Sequence, residues 1–291
     1  MKKINIFCFG FGQVAKNFIK KLINEKYNIK LSTTSRSKSS KNFFNGINYS
    51  NYLFNSDKFD KKLLVKLKEA DHILVSIPPK NQKDLVIKNF SKFLMNSKIK
   101  WITYLSSTSV YGDHKGKWVN ENSKTNPTSD KGIARLKTEN AWISIQKNNQ
   151  LPIQIFRLSG IYSNEKNILV RLKSGDLKLV KKKNHYFSRI HVEDAANILF
   201  KSLFKFKPGE IYNLSDNRPS SSEEVTLFGA KILNIKKIEK IKVKEIKNIT
   251  LKNFFNESKK VSNKKIKNYF NYSLKFPSYK EGLSYIRNNF I

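Results

Sequence analysis

The N-terminal segment carries a glycine pattern that could bind a dinucleotide. Gly10, Gly12 and Ala15 form a G-x-G-x-x-A pattern between an apolar run over 3–9 and a helical pattern over 13–24. The first glycine permits a tight turn, the second lets a pyrophosphate approach the backbone, and the small alanine allows close helix–strand packing. The helix N-terminus would then face the anion. The alternative is a strand–turn–helix without a ligand. The predicted cofactor-binding residues of this segment are Gly10, Phe11, Gly12, Gln13, Val14 and Ala15.

The residues after the second predicted strand, 28–34, bear on the choice of nucleotide. An Asp or Glu at this place binds the ribose 2′-hydroxyl of NAD, whereas an Arg suits the 2′-phosphate of NADP. The segment 31–40 (LSTTSRSKSS) has no acidic residue and offers Ser35 and Arg36 instead. We therefore favour NADP as the cofactor, with NAD as the second option. A solvated basic turn is the alternative interpretation.

Two further strand ends carry candidate site residues. Ser76, Ile77 and Pro78 close the strand predicted over 71–79, and the carboxyl edge of the sheet would run beside the cofactor there. A purely structural strand end is the alternative. The strand predicted over 98–107 ends in a run of hydroxyl side chains and is followed by Tyr111, which could form part of an active site. The hydroxyl residues of that run are Ser106, Ser107, Thr108 and Ser109.

Alternating strand and helix patterns position these residues. Strands are predicted over 3–9, 28–34, 71–79, 98–107 and 152–160, and helices around 13–24, 58–69, 82–95 and 129–148. Such alternation predicts an α/β fold with a Rossmann-type, doubly wound parallel sheet and a smaller C-terminal substrate lobe. The predicted dinucleotide-binding domain covers 1–165 and 187–217, and the predicted substrate lobe covers 166–186 and 218–291.

The chain is strongly basic. Lys and Arg number 57 against 22 Asp and Glu, which gives a formal net charge of +35. Only seven of these cations are Arg, the residue suited to bidentate recognition of phosphates and bases, and the Lys residues are spread along the whole chain. Lys, Asn, Ile and Phe share A/T-rich codons. We therefore attribute the charge to a biased genome and expect no specific nucleic-acid partner.

Cysteine, histidine and hydropathy patterns exclude other classes of protein. The single Cys8 excludes a disulfide within the chain, and four His without paired Cys predict no metal site. No run of 18 apolar residues occurs, so we expect no membrane span and no membrane partner. Together these features predict a soluble protein of a reducing compartment, with a cytoplasmic location.

Several motifs in order resemble the extended short-chain dehydrogenases/reductases, in the NAD-dependent epimerase/dehydratase family. The similarity runs almost from end to end, and the shorter glycine motif resembles the family's atypical subgroup. The resemblance implies a cofactor domain, a substrate lobe and a homodimer. The segments that carry it, besides the glycine motif, are LSSTSVYG (105–112), RLSGIY (157–162), RIHVEDAA (189–196), IYNLSD (211–216) and 258–283.

The chain departs from this family at its catalytic pair. The family uses a Ser or Thr on the fifth strand, matched by Ser107, and a Tyr-x-x-x-Lys pair on the next helix. Lys131 stands where the Tyr belongs and Arg135 where the Lys belongs. Arg135 stays cationic, so it could hold the nicotinamide ribose or a phosphate but could not relay a proton. The like charge of Arg135 favours a neutral Lys131, which could act as a base, and Tyr111 is a second candidate proton donor.

The sequence leaves two function hypotheses open. The first is an NAD(P)-dependent oxidoreductase or epimerase that acts on a polar small molecule, with sugar- or nucleotide-like compounds as the first class to test. Its catalytic residues would be Ser107, Tyr111 and Lys131. The second is a catalytically inactive NADP-binding sensor or regulatory protein of the same fold. The missing Tyr-x-x-x-Lys pair favours the second hypothesis, whereas the retained hydroxyl cluster and substrate lobe favour the first.

Overall fold

The computed structural model describes residues 2–56, 58–175 and 177–291. Helices follow single strands or groups of consecutive strands through its first two thirds. The strands are β1 (Lys3–Phe9), β2 (Asn28–Ser35), β3 (Ser40–Phe44), β4 (Ile47–Asn55), β5 (Lys58–Phe59), β6 (His72–Val75), β7 (Trp101–Ser107), β8 (Trp118–Val119), β9 (Ile153–Leu158), β10 (Gly160–Tyr162), β11 (Leu179–Val180), β12 (Arg189–His191), β13 (Ile211–Leu214), β14 (Lys240–Ile241) and β15 (Lys260–Val261). The helices are α1 (Gln13–Asn24), α2 (Lys62–Glu69), α3 (Leu85–Met95), α4 (Asp130–Asn149), α5 (Ile168–Lys173), α6 (Val192–Ser202), α7 (Ser222–Ile232), α8 (Ile249–Asn256), α9 (Lys264–Phe270) and α10 (Tyr279–Phe290).

The main sheet has the strand order of a doubly wound fold. Its order is β13-β9-β7-β6-β1-β2-β4-β3, with β5 paired to β4. The pairs β1·β2, β1·β6, β2·β4 and β6·β7 are parallel, whereas β3 and β5 run antiparallel to β4. The chain winds outward from β1 in one direction through β2, and β6 then begins the other half. The α/β, Rossmann-type fold class predicted from the sequence is thereby confirmed.

The described chain divides into two compact units. Unit 1 comprises Met1–Ser107, Ile133–Arg157 and Ala195–Tyr212, and unit 2 comprises Thr108–Gly132, Leu158–Asp194 and Asn213–Ile291. These bounds differ from the predicted domains, because 108–132, 158–165, 187–194 and 213–217 pack with unit 2. Compact packing does not say which unit binds which ligand, so the assignment of a cofactor domain and a substrate lobe stays a prediction.

Unit 1 is built around strands that are buried on both faces. Ile6, Phe7, Cys8 and Phe9 of β1 are all fully buried. This continuous apolar run is typical of a central parallel strand covered by helices on each side. The core cluster to which Phe7 and Phe9 belong also contains Trp142 of α4. The strand ends of this unit therefore emerge from a rigid support.

Unit 2 has a helical core of its own. The buried residues of this core come from β10, α5, α7 and α10, and include Tyr162, Leu169 and Leu283. Gly282 lies against the ring of Tyr162, because a Cβ built on Gly282 would be 2.7 Å from Cε2 of that ring. Any larger residue at position 282 would therefore displace Tyr162 or the helix.

A hairpin lies in a segment to which the sequence patterns assign no element. Strands β3 and β4 pair antiparallel from Ser40↔Asn51 to Phe44↔Ile47. Asn45 and Gly46 connect them with φ angles of 45° and 86°. An Asn-Gly pair between two strands is a strong hairpin signal, because both residues tolerate positive φ. Strand β4 then adds to the main sheet beside β2.

Candidate cofactor site and active site

The glycine turn between β1 and α1 has the conformation that its sequence predicts. Gly10 has φ +85°, and a Cβ added to it would lie 2.8 Å from Cγ2 of Ile77 and 2.9 Å from Oγ of Ser76. Its N–H donates to Oγ1 of Thr34 at 2.9 Å. Only glycine combines this backbone conformation with this close approach. The turn therefore packs tightly against Ser76 and Ile77.

Gly12 has no such constraint from the protein. It is the N-cap residue of α1 with φ −82°, and a Cβ built on it would meet no atom within 4 Å. Helix α1 has neither a side-chain cap nor an acidic residue in its first turn. An uncapped helix N-terminus attracts anions, because its first N–H groups point outward. Val14 and Ala15 are buried in the same helix, whereas Phe11 and Gln13 are partly buried.

Ser76 connects the end of β6 to this turn. Its hydroxyl lies 3.0 Å from the carbonyl oxygen of Phe9 and 3.1 Å from that of Gly10, to which it donates. The strands β1 and β6 are the neighbours between which the winding direction reverses, and ligands of open α/β sheets bind at this point. The structure therefore brings Ser76 and Ile77 together with the glycine motif, and Pro78 follows them directly in the chain.

The end of β2 exposes a cation. Ser35 donates from its hydroxyl to the carbonyl oxygen of Lys38 at 2.9 Å, and Arg36 is exposed. A glycine turn with an uncapped helix suits the pyrophosphate of a dinucleotide, and an Arg at the end of β2 would suit a 2′-phosphate on its ribose. The residues present therefore fit the cofactor that the sequence predicts.

Arg135 is held by strand β7. Its Nη1 donates to the hydroxyl of Tyr104 at 2.9 Å and to the carbonyl oxygen of Leu105 at 2.6 Å. Burial raises the pKa of the Tyr104 phenol, so this group keeps its proton and accepts the Arg135 hydrogen bond. Ser107 ends the same strand and is partly buried. Within unit 1, Ser107 is therefore the last residue of β7, and Arg135 is hydrogen-bonded to the same strand.

The other two predicted catalytic residues lie in unit 2. Tyr111 is fully buried, and its hydroxyl donates to Oδ1 of Asn213 at 2.8 Å. Lys131, in the first turn of α4, is exposed. A buried phenol with a hydrogen-bond partner is well positioned, whereas an exposed Lys is solvated. Their catalytic roles stay predictions.

Unit 2 contains a cavity that the sequence analysis did not predict. Its volume is about 570 Å³, and it is lined by aromatic rings, aliphatic side chains, three cations and one carboxylate. Arg189 is held at its wall, because Nη1 donates to the carbonyl oxygens of Phe187 at 3.0 Å and Ser220 at 3.1 Å. The sequence did contain one signal for this cavity: the chain has few Arg residues, and one of them begins the RIHVEDAA segment. The polar and aromatic residues that line the cavity are Tyr162, Glu165, Lys166, Asn167, Arg171, Phe187, Arg189, Ser222, Phe254 and Tyr279.

Asp216 is hydrogen-bonded to the backbone of Arg189. The backbone N–H of Asp216 donates to the carbonyl oxygen of Arg189 at 2.7 Å, and the Asp216 side chain is buried. Burial raises the pKa of Asp216 to about 8, although the N–H of Arg218 and the charge of Arg189 oppose this rise. This carboxyl group is therefore largely protonated below neutral pH.

Two kinds of feature are absent from the described residues. They contain no group of three or more His, Cys, Asp and Glu that could hold a metal ion. Within the same residues, no helix is both long and apolar enough to cross a membrane. Burial raises the pKa of the Cys8 thiol, so this group stays a thiol and reacts slowly.

The sheet order and the glycine turn define a Rossmann-type α/β protein. More particularly, residues 89–215 match the family model described as the NAD dependent epimerase/dehydratase family. The resemblance inferred from the sequence motifs is thereby confirmed. No curated protein sequence matches the chain.

Solved structures share this fold along nearly the whole chain. A functionally unknown conserved protein from Silicibacter pomeroyi is 26% identical, with a TM-score of 0.86 and 99% of each chain covered. The dTDP-glucose 4,6-dehydratase of Bacillus anthracis, solved in complex with NAD, is 19% identical, with a TM-score of 0.76 and coverage of 99% of this chain and 96% of that one. The UDP-glucose 4-epimerase of Thermotoga maritima, solved with UDP-glucose, is 15% identical, with a TM-score of 0.78 and coverage of 99% and 98%.

Proposed function

We propose that the protein is an NAD(P)-dependent oxidoreductase or epimerase that acts on a polar, nucleotide-linked sugar or a related anionic compound. The observation that carries this proposal is the space around Gly12. Nothing in the protein requires a glycine there, because an added Cβ would meet no atom within 4 Å. A bound pyrophosphate beside an uncapped helix N-terminus does require it.

NADP is the preferred cofactor of this proposal. Arg36 is exposed at the end of β2, where a 2′-phosphate would be bound, and no acidic residue of the segment 31–40 would repel that phosphate. The similar dehydratase was solved with NAD, so NAD remains the competing cofactor. When bound, the nicotinamide would supply the acceptance and return of a hydride.

The catalytic roles follow the position of each residue. Ser107 would hold the reacting oxygen of the substrate through its hydroxyl, and Tyr111 or Lys131 would move the proton. Arg135 would carry a fixed positive charge beside the nicotinamide ribose. Its two hydrogen bonds to β7 would keep that charge in place. A guanidinium cannot take over the proton relay of a Lys, because it does not release its proton in proteins.

The cavity of unit 2 supports an anionic substrate. Aromatic rings and aliphatic side chains would accept the apolar surface of a base. Lys166, Arg171 and Arg189 outnumber the single lining carboxylate, Glu165, and would attract phosphate groups. The similar epimerase was solved with UDP-glucose, a compound of this chemical kind. We further propose a cytoplasmic location and, from the family resemblance, a homodimer.

A catalytically inactive NADP-binding sensor is the second candidate function. Two observations favour it: Lys131 is exposed to solvent, and the Tyr111 hydroxyl already bonds to Asn213. A sensor of this kind would bind the cofactor at the same turn but would not oxidise a substrate.

Titration with NADPH and NADH, followed by nucleotide fluorescence, tests the proposal. Micromolar binding of NADPH with weaker binding of NADH is the expected result. Absence of binding by either nucleotide would overturn both candidate functions. Incubation with NADP⁺ and a panel of nucleotide sugars then separates them, because the enzyme forms reduced nicotinamide or an epimer and the sensor forms neither.

A further inference from the structure

We infer that the β3–β4 hairpin forms the outer wall of the adenosine end of the dinucleotide site, with Phe11, Phe44 and Tyr49 as its affinity-determining residues. This inference rests on the proposed function. The ligand part concerned is a purine ring attached to a ribose phosphate.

An aromatic cluster joins the glycine turn to the hairpin. Phe11 is the middle residue of the Gly-Phe-Gly turn, and its ring centroid lies 5.2 Å from that of Phe44 and 5.1 Å from that of Tyr49. The contact with Phe44 is edge-on at 80°, whereas that with Tyr49 is tilted at 52°. All three side chains are only partly buried. Aromatic surface is therefore left open beside the turn.

The register of the hairpin places its two rings on one face. Tyr49 pairs with Asn42, and Phe44 pairs with Ile47. Because successive strand residues point to opposite faces, Phe44 and Asn42 share a face of β3, and Tyr49 lies across from Asn42 on that face. Phe43 points to the other face and is 69% exposed. Adjacent phenylalanines of one strand thus have different environments.

The same hairpin is tied to the loop that carries Arg36. The N–H of Leu53 in β4 donates to Oγ of Ser39 at 3.0 Å, and Nδ2 of Asn51 donates to the carbonyl oxygen of Lys38 at 3.3 Å. Strand β4 also pairs with β2 up to Ser35↔Leu53, directly before Arg36. The hairpin therefore borders the strand end at which the adenosine ribose of a dinucleotide is bound in doubly wound folds.

These contacts give the wall a definite chemistry. Phe44 and Tyr49 present aromatic faces that a purine can stack on or contact edge-on. Arg36, on the loop fixed to β4, supplies the cation for a phosphate on the ribose. The hairpin thus combines apolar and cationic recognition for one end of the ligand and contributes nothing to the nicotinamide end.

Alanine substitution of the hairpin rings tests this inference through binding alone. The variants are Phe44→Ala and Tyr49→Ala, and Phe43→Ala is the matched control on the opposite face of β3. The probes are NADPH, 2′,5′-ADP, which contains only the adenosine end, and reduced nicotinamide mononucleotide, which lacks it. We expect both ring variants to bind NADPH and 2′,5′-ADP about ten-fold more weakly than the wild type. Their affinity for the mononucleotide and the behaviour of Phe43→Ala should be unchanged.

The outcomes separate the inference from the proposed function. If the wild type binds NADPH but Phe44→Ala and Tyr49→Ala bind it equally well, the hairpin inference is wrong and the proposed function stands. If the wild type binds none of the three probes, the proposed function itself fails. Phe44→Leu, which keeps an apolar side chain but removes the ring, replaces Phe44→Ala if circular dichroism shows that Phe44→Ala is unfolded. The same ten-fold loss is expected for it.

Discussion

Glu139 of α4 and Arg157 of β9 form a bidentate ion pair in the interior of unit 1. Nη2 of Arg157 lies 2.7 Å from Oε2 of Glu139, and Nε lies 3.1 Å from both carboxylate oxygens. The Arg157 side chain is only 5% exposed and that of Glu139 only 1%. Because Glu139 and Arg135 are one helical turn apart, the pair also fixes the turn of α4 that carries Arg135.

Removal of one partner of this pair should destabilise the protein strongly. Glu139→Ala leaves the Arg157 guanidinium buried without its counterion, and we expect a loss of about 3–5 kcal/mol in the free energy of unfolding. Urea denaturation measures this loss. Glu25→Ala is the control, because Glu25 pairs with Lys21 at an exposed position and should cost less than about 0.5 kcal/mol. Similar losses in the two variants would contradict a stabilising role of the buried pair.

The two glycines of the turn should respond differently to alanine. Gly10→Ala combines a positive φ with contacts below 3 Å, so it should lower stability by about 1–3 kcal/mol and abolish cofactor binding. Gly12→Ala meets open space, so the protein should fold normally but bind NADPH at least about ten-fold more weakly. Thermal denaturation and nucleotide titration measure both effects. Full NADPH affinity in Gly12→Ala would remove the main support for the cofactor site.

Arg36 should determine the preference between the two nicotinamide cofactors. Arg36→Ala is expected to weaken NADPH binding about ten-fold and to leave NADH binding unchanged, because only NADPH carries the 2′-phosphate. Lys38→Ala, in the same exposed loop, is the charge-matched control and should change neither affinity. An equal loss of NADPH and NADH affinity in Arg36→Ala would show that Arg36 does not contact the 2′-phosphate.

The hydroxyl at the end of β7 should matter for turnover and not for cofactor affinity. Ser107→Ala is expected to lower kcat about 100-fold with the NADPH dissociation constant unchanged. Tyr111→Phe and Lys131→Met, measured beside it, identify the proton donor, since only the true donor should shift the pH profile of kcat. Unaltered turnover in Ser107→Ala would refute its assignment.

Asp216 should make stability depend on pH. Its pKa is raised to about 8 in the folded protein by burial, so the folded state retains a proton that the unfolded state has already lost above its ordinary pKa of 3.8. This group's contribution to stability is therefore complete at acid pH and is lost as the pH rises through 8. Between pH 4 and 8 the slope is at most about 1.4 kcal/mol per pH unit.

Asp216→Asn provides the comparison, since Asn resembles the protonated acid at every pH. We expect the stability of the wild type to fall relative to Asp216→Asn as the pH rises from 5 to 8, measured by urea denaturation at each pH. Parallel curves for the two proteins would show that Asp216 does not titrate in this range.

Patterns of residue types along the chain predicted helix α1 and the glycine turn, because both depend on residues that are close in sequence. The helical spacing over 13–24 matches α1, and the G-x-G-x-x-A pattern predicted the turn, because few residue types tolerate the φ of Gly10. The predicted ends of strands and helices were less accurate. The strand predicted over 71–79 ends at Val75, since the chain leaves the sheet before Pro78, and the helix predicted around 58–69 begins only at Lys62.

The amino-acid sequence alone therefore determined the fold class, the glycine turn and the absence of a Tyr-x-x-x-Lys pair from the helix over 129–148, because each is a property of residue types at short spacings. The tertiary structure decided what those residues contact. It joined Phe11 to the β3–β4 hairpin, gave Arg135 its partners on β7 and enclosed the cavity beside Arg189. Such contacts join residues far apart in the chain, and only the packing of the whole core determines which of them form.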